Sequence, residues 1–211
     1  MQQVQTEKLK ILGVPRYRDE RVKVREAAIK ACKDKNVALE LYSGNGDMSN
    51  IYSNSGFNLV VTVDKDKNSE AQFKIPAMNY LDRLEIAIEL GAEKDLHKID
   101  LVDFDAYGNP NLEVQRFFEI VKDKMAPIVV VITDGLGLKM KRSRDMKLLR
   151  QRFLISGEEA YIDYRYSWKF HPELTRFFMK TVAKKYKMTA TELCLLQGKG
   201  KNFVFSSWLL Q

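Results

Sequence analysis

Cysteine and histidine are scarce in this sequence of 211 residues, and each shortage excludes a class of site. Its two cysteines, Cys32 and Cys194, lie far apart in the chain, and neither stands beside another type of metal ligand. This argues against a disulfide framework and against a zinc site, and we expect no metal. The two histidines, His97 and His171, are isolated, and we interpret them as surface or core residues rather than catalysts.

Long apolar runs are also missing. No stretch approaches the roughly 18 uninterrupted apolar residues of a membrane-spanning helix, and the first residues lack the apolar core of a signal peptide. We therefore expect a cytoplasmic protein with no membrane segment. With 45% hydrophobic and 30% charged residues, the chain can form one α/β domain. We expect an N-terminal arm over residues 1–19 and one domain over residues 20–211, whereas the sequence does not indicate an oligomeric state.

Positive charge is in excess, with a net charge of +7, and it is unevenly distributed. Residues 139–152 contain seven basic residues and one acid, Asp145. A basic cluster of this kind favours an anionic partner such as a nucleic acid. The alternative is a solvated helix face, because Met140, Met146, Leu148, Leu149 and Phe153 could form the apolar side of a helix here.

Short apolar runs alternate with amphipathic segments along the chain. Their spacing predicts helices over residues 20–35, 82–91, 111–124 and 172–187, and buried strands over 37–42, 59–63, 99–104 and 128–133. Residues 72–75 form a further strand-like segment before Pro76, and residues 65–80 leave little room for a helix. Residues 191–196 and 203–209 flank a glycine-containing turn, which predicts an antiparallel hairpin.

This alternation predicts an α/β fold with a single doubly wound, mostly parallel, seven-stranded sheet and an antiparallel C-terminal hairpin. Five parallel strands followed by such a hairpin resemble the class I, or Rossmann-fold, S-adenosylmethionine-dependent methyltransferases. The resemblance covers roughly residues 37–135.

A glycine turn follows the first predicted strand, in the sequence LELYSGNGD over residues 39–47. It resembles the first motif of these methyltransferases, in which an acid near the strand end precedes glycines in a tight turn. It fits a dinucleotide-binding fingerprint less well, because the third glycine would fall at Ser49. The alternative is an ordinary strand-to-helix turn. The resemblance implies cofactor contacts from Glu40, Tyr42, Ser43, Gly44, Asn45 and Gly46.

The second predicted strand ends at Asp64, where an acid can accept hydrogen bonds from both hydroxyl groups of a cofactor ribose. The alternative is an acid that simply begins a turn. In the methyltransferases the third strand commonly ends in an acid that meets the adenine, whereas Pro76 stands at that place here. We therefore expect the adenine of S-adenosyl-L-methionine to contact backbone or apolar atoms of Ala77 and Met78.

The sequence DFDAYGNP, over residues 103–110, follows the strand predicted over residues 99–104. It resembles DxDPFGSP of the tRNA guanine-N2 methyltransferases and, more loosely, the DPPY motif of enzymes that methylate exocyclic amines. The positions that match are Asp103, Asp105, Gly108 and Pro110, and Tyr107 replaces one aromatic residue by another. Ala106 stands in place of a proline, and Asn109 in place of a serine.

Those residue types suit the methylation of a base amine, which is a poor nucleophile and gains from an acceptor that orients its N–H groups. The Asp105 carboxylate or carbonyl groups of the turn could be that acceptor, and Tyr107 could stack on a flipped base. The resemblance thus suggests Asp103, Asp105, Tyr107 and Asn109 as catalytic candidates. The alternative is a sharp loop whose acids cap the next helix. Methylation of cytosine at C5 is disfavoured, because no cysteine follows this strand.

Basic and aromatic residues follow the next strand. We expect Lys139, Lys141, Arg142 and Arg144 to bind phosphates of a nucleic acid. Aromatic residues at 161–170 alternate with other residues, as in a stacking surface for single strands or a half-buried strand. The sequence therefore favours a methyltransferase acting on nucleic acid, at an exocyclic amine and in RNA rather than DNA. A cofactor-free binding protein and a small-molecule or protein methyltransferase are the alternatives.

Overall fold

The computed structural model describes residues 17–90, 98–122, 127–142, 151–154 and 168–211. His97, Arg144, most of the predicted arm and most of the aromatic segment lie outside them. In chain order the elements are α1 (Arg18–Ala31), β1 (Val37–Leu41), α2 (Ser49–Asn54), β2 (Leu59–Val63), α3 (Ala77–Glu89), β3 (Ile99–Asp105), α4 (Asn111–Val121), β4 (Ile128–Asp134), α5 (Gly137–Arg142), α6 (His171–Lys185), β5 (Ala190–Gln197), a 3₁₀ turn (Lys199–Lys201) and β6 (Val204–Leu210).

The strands of the described residues form one six-stranded sheet in the order β2-β1-β3-β4-β6-β5. The first four strands in this order are mutually parallel. Strand β6 runs antiparallel to both β4 and β5, so it lies between the parallel strands and the last edge. The predicted α/β class, the mostly parallel sheet and the antiparallel C-terminal hairpin are confirmed.

The predicted number of strands is wrong, because residues 72–75 contribute a single bridge instead of a seventh strand. Phe73 forms an isolated parallel bridge with Val63 of β2. Its N–H donates to the Thr62 carbonyl, and its carbonyl accepts from the Asp64 N–H, each at 3.0 Å. Pairing stops there because Pro76 has no N–H to donate and helix α3 begins at the next residue.

Two helix starts differ from the prediction. Helix α1 begins at Arg18, so residues 18 and 19 of the predicted arm belong to a helix of the domain. Helix α3 begins at Ala77, directly after Pro76, rather than at Asp82. Proline is compatible with a helix start because its fixed φ suits the first turn and it needs no hydrogen-bond acceptor. Residues 168–170, the described end of the aromatic segment, form a 3₁₀ turn rather than a half-buried strand.

Apolar residues cover both faces of the sheet. On one face β1 places Val37, Leu39 and Leu41 against a large cluster that includes residues of α3, α4 and α6. On the other face, residues of α1 and α2 pack with Ala38 and with residues of β3 and β4. This second face also carries buried polar groups, because Glu40 follows the same alternation as Ala38. Among the described helices, none has both the length and the apolar character needed to cross a bilayer.

Candidate functional site

The candidate site lies at the carboxyl edge of the parallel strands, where open α/β sheets bind ligands. The loops that follow β1, β2, β3 and β4 all leave the sheet here. Because β6 is antiparallel to β4, its first residue, Val204, pairs with the last residue of β4, Asp134. The hairpin turn over residues 198–203 therefore joins the same edge.

The turn after β1 is strongly curved. Tyr42, Gly44 and Gly46 have φ values of 69°, 55° and 76°, in the left-handed region that favours glycine. The N–H groups of Tyr42 and Ser43 both donate to the Val63 carbonyl of β2, at 2.7 and 3.1 Å. A Cβ added at Gly44 would meet no heavy atom within 4 Å, so the space above this residue is open. The turn thus presents backbone to a ligand without side chains in the way.

Asp64 holds this turn in place. Its Oδ2 accepts from the Gly44 N–H at 2.9 Å, and its Oδ1 accepts from the Asp66 N–H at 2.8 Å. Asp64 is half-buried. A carboxylate oxygen can accept more than one hydrogen bond, so Asp64 can also accept from a ligand hydroxyl. The structure therefore brings together the glycine turn and the acid that the sequence analysis singled out.

Other groups at this turn fit a polar, nucleoside-like ligand. The Ser43 hydroxyl is buried and has no hydrogen-bond partner among the described residues. Asn45 is exposed at the tip of the turn, while Ala77 is buried and Met78 half-buried at the start of α3. The Glu70 N–H donates to the Gly44 carbonyl at 3.1 Å, so the loop after β2 flanks the turn. An unpaired hydroxyl, an open glycine and an acid suit a ligand that carries a ribose.

The side chains of Glu40 and Tyr42 contact groups beneath and beside this turn. Tyr42 packs against the large apolar cluster, where burial and the nearby Glu113 raise the pKa of its hydroxyl. Glu40 is fully buried and accepts a hydrogen bond from the Ser49 hydroxyl. Burial and the neighbouring Asp103 raise the pKa of Glu40 to about 8, so it is mostly protonated at neutral pH. Neither carboxyl oxygen of Glu40 reaches the surface where a cofactor would bind.

A buried ion network lies beneath the edge, between α1 and β3. The Arg25 Nε and Nη2 atoms donate to Asp103 at 2.7 and 3.0 Å, and the Tyr52 hydroxyl donates to Asp103 at 2.6 Å. Arg25 Nη2 also lies 3.2 Å from Asp105 Oδ1, and Arg21 binds the other oxygen of Asp105. Asp103 and Asp105 are thus each matched by a guanidinium group, as burial of charge requires.

The two aspartates of DFDAYGNP differ in their access to a ligand. Asp103 lies inside β3 and is completely buried, and burial raises its pKa to about 6 although Arg25 opposes the shift. Its oxygens already accept from Arg25 and Tyr52, so it offers no accessible atom to a substrate. Asp105 is the last residue of β3 and lines a cavity. Burial works against its charge, but Arg25 and Arg21 keep the pKa of Asp105 below its ordinary value.

The loop after β3 packs tightly on the loop after β4. The Gly135 N–H donates to the Gly108 carbonyl at 2.7 Å, and a Cβ added at Gly135 would lie 2.1 Å from the Tyr107 carbonyl oxygen. Only glycine allows this approach. The side chain of Tyr107 extends outward and is 82% exposed. The Asn109 side chain turns inward and donates to Asp134 Oδ2 at 3.0 Å.

Asp134 also contacts His171, which is isolated from the other histidine in the sequence. His171 is fully buried at the start of α6, and its Nε2 lies 3.0 Å from Asp134 Oδ2. The other Asp134 oxygen accepts from the Leu136 N–H at 2.9 Å. Asp134 therefore ties the loops after β3 and β4 to α6. No local signal in the sequence links positions so far apart in the chain.

Beside Asp105 the edge contains a cavity of about 220 Å³. Four aromatic side chains form its walls, and the remaining lining residues surround Asp105. The lining consists of Tyr17, Arg21, Asp105, Ala106, Tyr107, Thr133, Phe203 and Phe205. Asp105 and Tyr107 were predicted as site residues from the sequence, whereas Tyr17, Arg21 and the two phenylalanines were not. The predicted hairpin turn was the only sequence feature that could have pointed to the phenylalanines.

Lysines gather around Trp168 beside the hairpin turn. The Lys141 ammonium lies 4.8 Å from the Trp168 ring centre, and those of Lys201 and Lys169 lie at 5.6 and 5.7 Å. Lys141 also donates to the Gly200 carbonyl, and to the Asn202 side chain at 2.7 Å. Of the other predicted phosphate ligands, Lys139 is exposed on α5, and Arg142 is the last residue of that helix.

This chain is similar to known proteins in its structure but not detectably in its sequence. No protein-family model and no curated protein matches the sequence. Among solved structures, the plantazolicin methyltransferase BpumL, bound to S-adenosylhomocysteine and a triazolic desmethylPZN analogue, matches with a TM-score of 0.52 at 12% identity. The match covers 98% of this chain and 89% of that protein.

Two streptococcal proteins also match. One, from Streptococcus thermophilus, was described as a hemolysin, and it matches with a TM-score of 0.52 at 12% identity over 90% of this chain. The other, from Streptococcus mutans, was assigned to the S-adenosylmethionine-dependent methyltransferases, and it matches with a TM-score of 0.51 at 12% identity over 89% of this chain. This chain spans 64% and 48% of their lengths. The chain therefore shares the α/β fold of these solved structures.

Proposed function

We propose that this protein is an S-adenosylmethionine-dependent methyltransferase that acts on an exocyclic base amine of nucleic acid, in RNA rather than DNA. The observation that carries the proposal is the position of two features at one edge of the sheet. The glycine turn follows β1, and Asp64, which holds it, follows β2. The loop with exposed Tyr107 follows β3, the strand next to β1. A cofactor and an acceptor bound at these two places would be neighbours.

The glycine turn supplies groups for the cofactor. Gly44 leaves space for close approach, and Asp64 offers acceptor oxygens for ribose hydroxyls. The Ser43 hydroxyl has no partner in the part of the chain that the structure describes. Ala77 and Met78 offer apolar and backbone contacts to an adenine. When bound, S-adenosylmethionine supplies a methyl group on a positively charged sulfur. Glu40 acts from beneath, since its contact with Ser49 joins β1 to α2 at the base of the turn.

The acceptor side must orient an amine and take up its proton. Asp105 is held ionised by Arg21 and Arg25, so it accepts hydrogen bonds but is a weak base. We assign it the orientation of the amine N–H groups, with solvent taking the proton after transfer. Asn109 is fixed by Asp134 and shapes the loop, while Tyr107 provides a surface for stacking. Asp103 holds the network together and does not contact the acceptor.

Nucleic acid is favoured over other acceptors by the lysines around Trp168, which lie beside the loops of the site. Such a surface neutralises phosphates. Binding that does not weaken as salt rises would argue instead for a small-molecule or protein acceptor, and the match to a methyltransferase named for plantazolicin keeps that alternative relevant.

A cofactor-free binding protein is the second candidate function. It is favoured by the two backbone N–H groups that already bind Asp64, and by the Glu70 loop that flanks Gly44. In the enzyme, a bound cofactor would have to fit beside these hydrogen bonds to Asp64 and beside the Glu70 loop.

Calorimetric titration with S-adenosylmethionine and S-adenosylhomocysteine separates these two functions. We expect both to bind the wild-type protein, and we expect Asp64→Ala to weaken both by about tenfold or more, because a charged hydrogen-bond partner is lost. Asp34→Ala is the matched control, since Asp34 is exposed in the loop that enters β1, at the opposite edge. An absence of heat with both ligands would exclude the enzyme and leave the binding protein.

A second assay identifies the acceptor. Methyl transfer from labelled S-adenosylmethionine is measured with bulk RNA, DNA and protein, and the labelled product is digested. We expect label on an exocyclic amine of an RNA base. Label in protein, or on a ring carbon, would contradict the proposal.

A further inference from the structure

The cavity beside Asp105 has the walls of a site for a flat ring. The ring centres of Tyr17 and Phe203 lie 5.4 Å apart, and those of Tyr107 and Phe203 lie 6.4 Å apart in an edge-to-face arrangement. Phe203 and Phe205 are stacked, with an interplanar angle of 11°. The Tyr17 hydroxyl donates to the Lys199 carbonyl at 2.6 Å, which ties α1 to the hairpin turn. The positions of the wall residues are therefore fixed by contacts between α1 and the C-terminal hairpin.

The volume of the cavity limits what it can hold. At about 220 Å³ it is smaller than the roughly 300–1,000 Å³ of pockets for drug-sized ligands. A single planar ring system suits this space, whereas a whole nucleotide does not. The sugar and phosphate of a nucleotide would have to remain outside.

The cavity is polar where Arg21 and Asp105 line it. Arg21 binds Asp105 through Nη2, and its Nε is buried with no hydrogen-bond partner among the described residues. An unpaired buried donor is costly unless a ligand supplies an acceptor. Ring nitrogens and carbonyl oxygens of a nucleobase are such acceptors, and Asp105 can accept from a base amine.

Positive charge continues from the cavity along the hairpin turn. Phe203 lines the cavity, while Lys201 of the same turn lies near Trp168 together with Lys141. Base stacking on aromatic rings beside a cationic surface is the arrangement by which proteins hold single-stranded nucleic acid. A base in a duplex could not enter this cavity without leaving its stack.

We propose that this cavity binds one unpaired nucleobase of a single-stranded polynucleotide, stacked among Tyr17, Tyr107 and Phe203, while Lys201 and Lys141 bind the adjoining phosphates. The inference rests on the proposed function, since it names the place where the acceptor base sits. It adds Tyr17, Arg21 and the hairpin turn to the acceptor site.

Nucleoside monophosphates test the base site directly. The full chain, with saturating S-adenosylhomocysteine in the cofactor site, is titrated with AMP, GMP, CMP and UMP, and with ribose 5-phosphate as the ligand without a base. We expect at least one nucleotide to bind at least tenfold more tightly than ribose 5-phosphate. Equal affinity for all five ligands would overturn the proposal. Tighter binding of N-acetyltryptophanamide than of any nucleotide would also overturn it, and would indicate a peptide side chain.

Substitutions in the cavity lining test whether the nucleotide binds in the cavity. Tyr107→Ala changes an exposed side chain and should leave folding intact, and we expect it to weaken the preferred nucleotide by about tenfold, because stacking is lost. Phe203→Leu should have a similar effect. Phe177→Ala is the control, because Phe177 is an exposed aromatic residue of α6 outside the cavity lining. Unchanged affinity in both cavity variants would place the nucleotide elsewhere and contradict the inference.

Binding of a labelled oligonucleotide tests the preference for single-stranded nucleic acid. We expect a single strand to bind more tightly than the same sequence in a duplex. We expect Lys201→Ala to reduce the slope of log affinity against log salt by about 0.7, whereas Lys180→Ala on α6 leaves the slope unchanged. Equal slopes for Lys201→Ala and the wild type, or tighter binding of the duplex, would overturn the single-strand proposal.

Calorimetric titration with S-adenosylhomocysteine distinguishes a failure of the proposed base site from a failure of the proposed enzyme function. If S-adenosylhomocysteine binds and no nucleotide does, the base site is wrong while the cofactor proposal stands. If S-adenosylhomocysteine does not bind and the titrations are run without it, base-dependent binding lost in Tyr107→Ala supports the site and contradicts the enzyme.

Discussion

The two halves of the carboxyl edge are built in different ways. We define the cofactor half as residues 42–46 with Asp64, and the acceptor half as the cavity lining with the loops after β3 and β4. The cofactor half is shaped by backbone, through left-handed residues and N–H groups that bind one carboxylate. The acceptor half is shaped by side chains, through paired charges and aromatic rings from distant segments. Changes in one half should therefore leave the other intact.

The largest effect should come from Arg25, which supports the acceptor half from below. Arg25→Met leaves Asp103 without its main partner and Asp105 with Arg21 as its one remaining guanidinium partner among the described residues. Because it leaves buried carboxylate charge uncompensated, we expect the free energy of unfolding to fall by about 3–5 kcal/mol. Urea denaturation measures this loss. Arg116→Met is the control, since Arg116 forms surface ion pairs with Asp82 and Glu85, where at most about 1 kcal/mol is expected. Equal losses in the two variants would show that the buried network is not what holds the acceptor half.

Glu40 lies where the two halves meet, because it pairs in register with Asp103 across β1 and β3. Its pKa is about 8 in the folded protein and ordinary in the unfolded chain, so the unfolded chain loses its proton first as pH rises. The stability that protonated Glu40 provides is complete below the unfolded pKa and is lost as pH rises through the folded one.

Glu40→Gln removes this pH dependence. Between about pH 6 and about pH 8, we expect the wild type to lose on the order of 2 kcal/mol relative to the variant, since each pKa unit corresponds to about 1.4 kcal/mol. Urea denaturation at several pH values measures the difference. A constant difference between the two proteins over this range would show that Glu40 is ionised in the fold and that the charges of the network do not balance as described.

A smaller effect should come from the contact between the loops of the acceptor half. Gly135→Ala places a Cβ against the Tyr107 carbonyl, so the loops must separate, at a cost of about 1–3 kcal/mol. Gly108→Ala is the matched control, because a Cβ there meets no heavy atom within 4 Å, and its cost should stay within about 0.5 kcal/mol. Thermal unfolding compares the two variants. S-adenosylhomocysteine affinity should be unchanged in both, and a loss confined to Gly135→Ala would contradict the separation of the halves.

The sequence predicts the cofactor half better than the acceptor half for a physical reason. The turn over residues 42–46 is local, and its glycines and preceding strand are contiguous in the chain. Asp64 could be placed because both strand ends meet one edge in a parallel sheet. The cavity instead depends on contacts between α1 and the C-terminal hairpin, as between Tyr17 and Phe203, and no local pattern encodes such contacts.

The same distinction explains the errors in the fold. The short apolar segment around Phe73 has the composition of a strand, but Pro76 ends its pairing after one bridge. Asp103 stands at the position of a catalytic acid in the motif. However, β3 extends to Asp105, so Asp103 lies inside the strand and is buried against Arg25. The sequence does not reveal the partner of a buried charge, because Arg25 and Asp103 lie far apart in the chain and no local pattern links them.

The most direct test of this account is steady-state methyl transfer to RNA by the wild type, Asp64→Ala and Tyr107→Ala in one assay. If the two halves bind different ligands, Asp64→Ala raises the KM for S-adenosylmethionine and leaves that for RNA unchanged. Tyr107→Ala does the reverse. If both variants raise the same KM, or if the wild type transfers no methyl group to RNA, the assignment of the two halves to cofactor and base is contradicted.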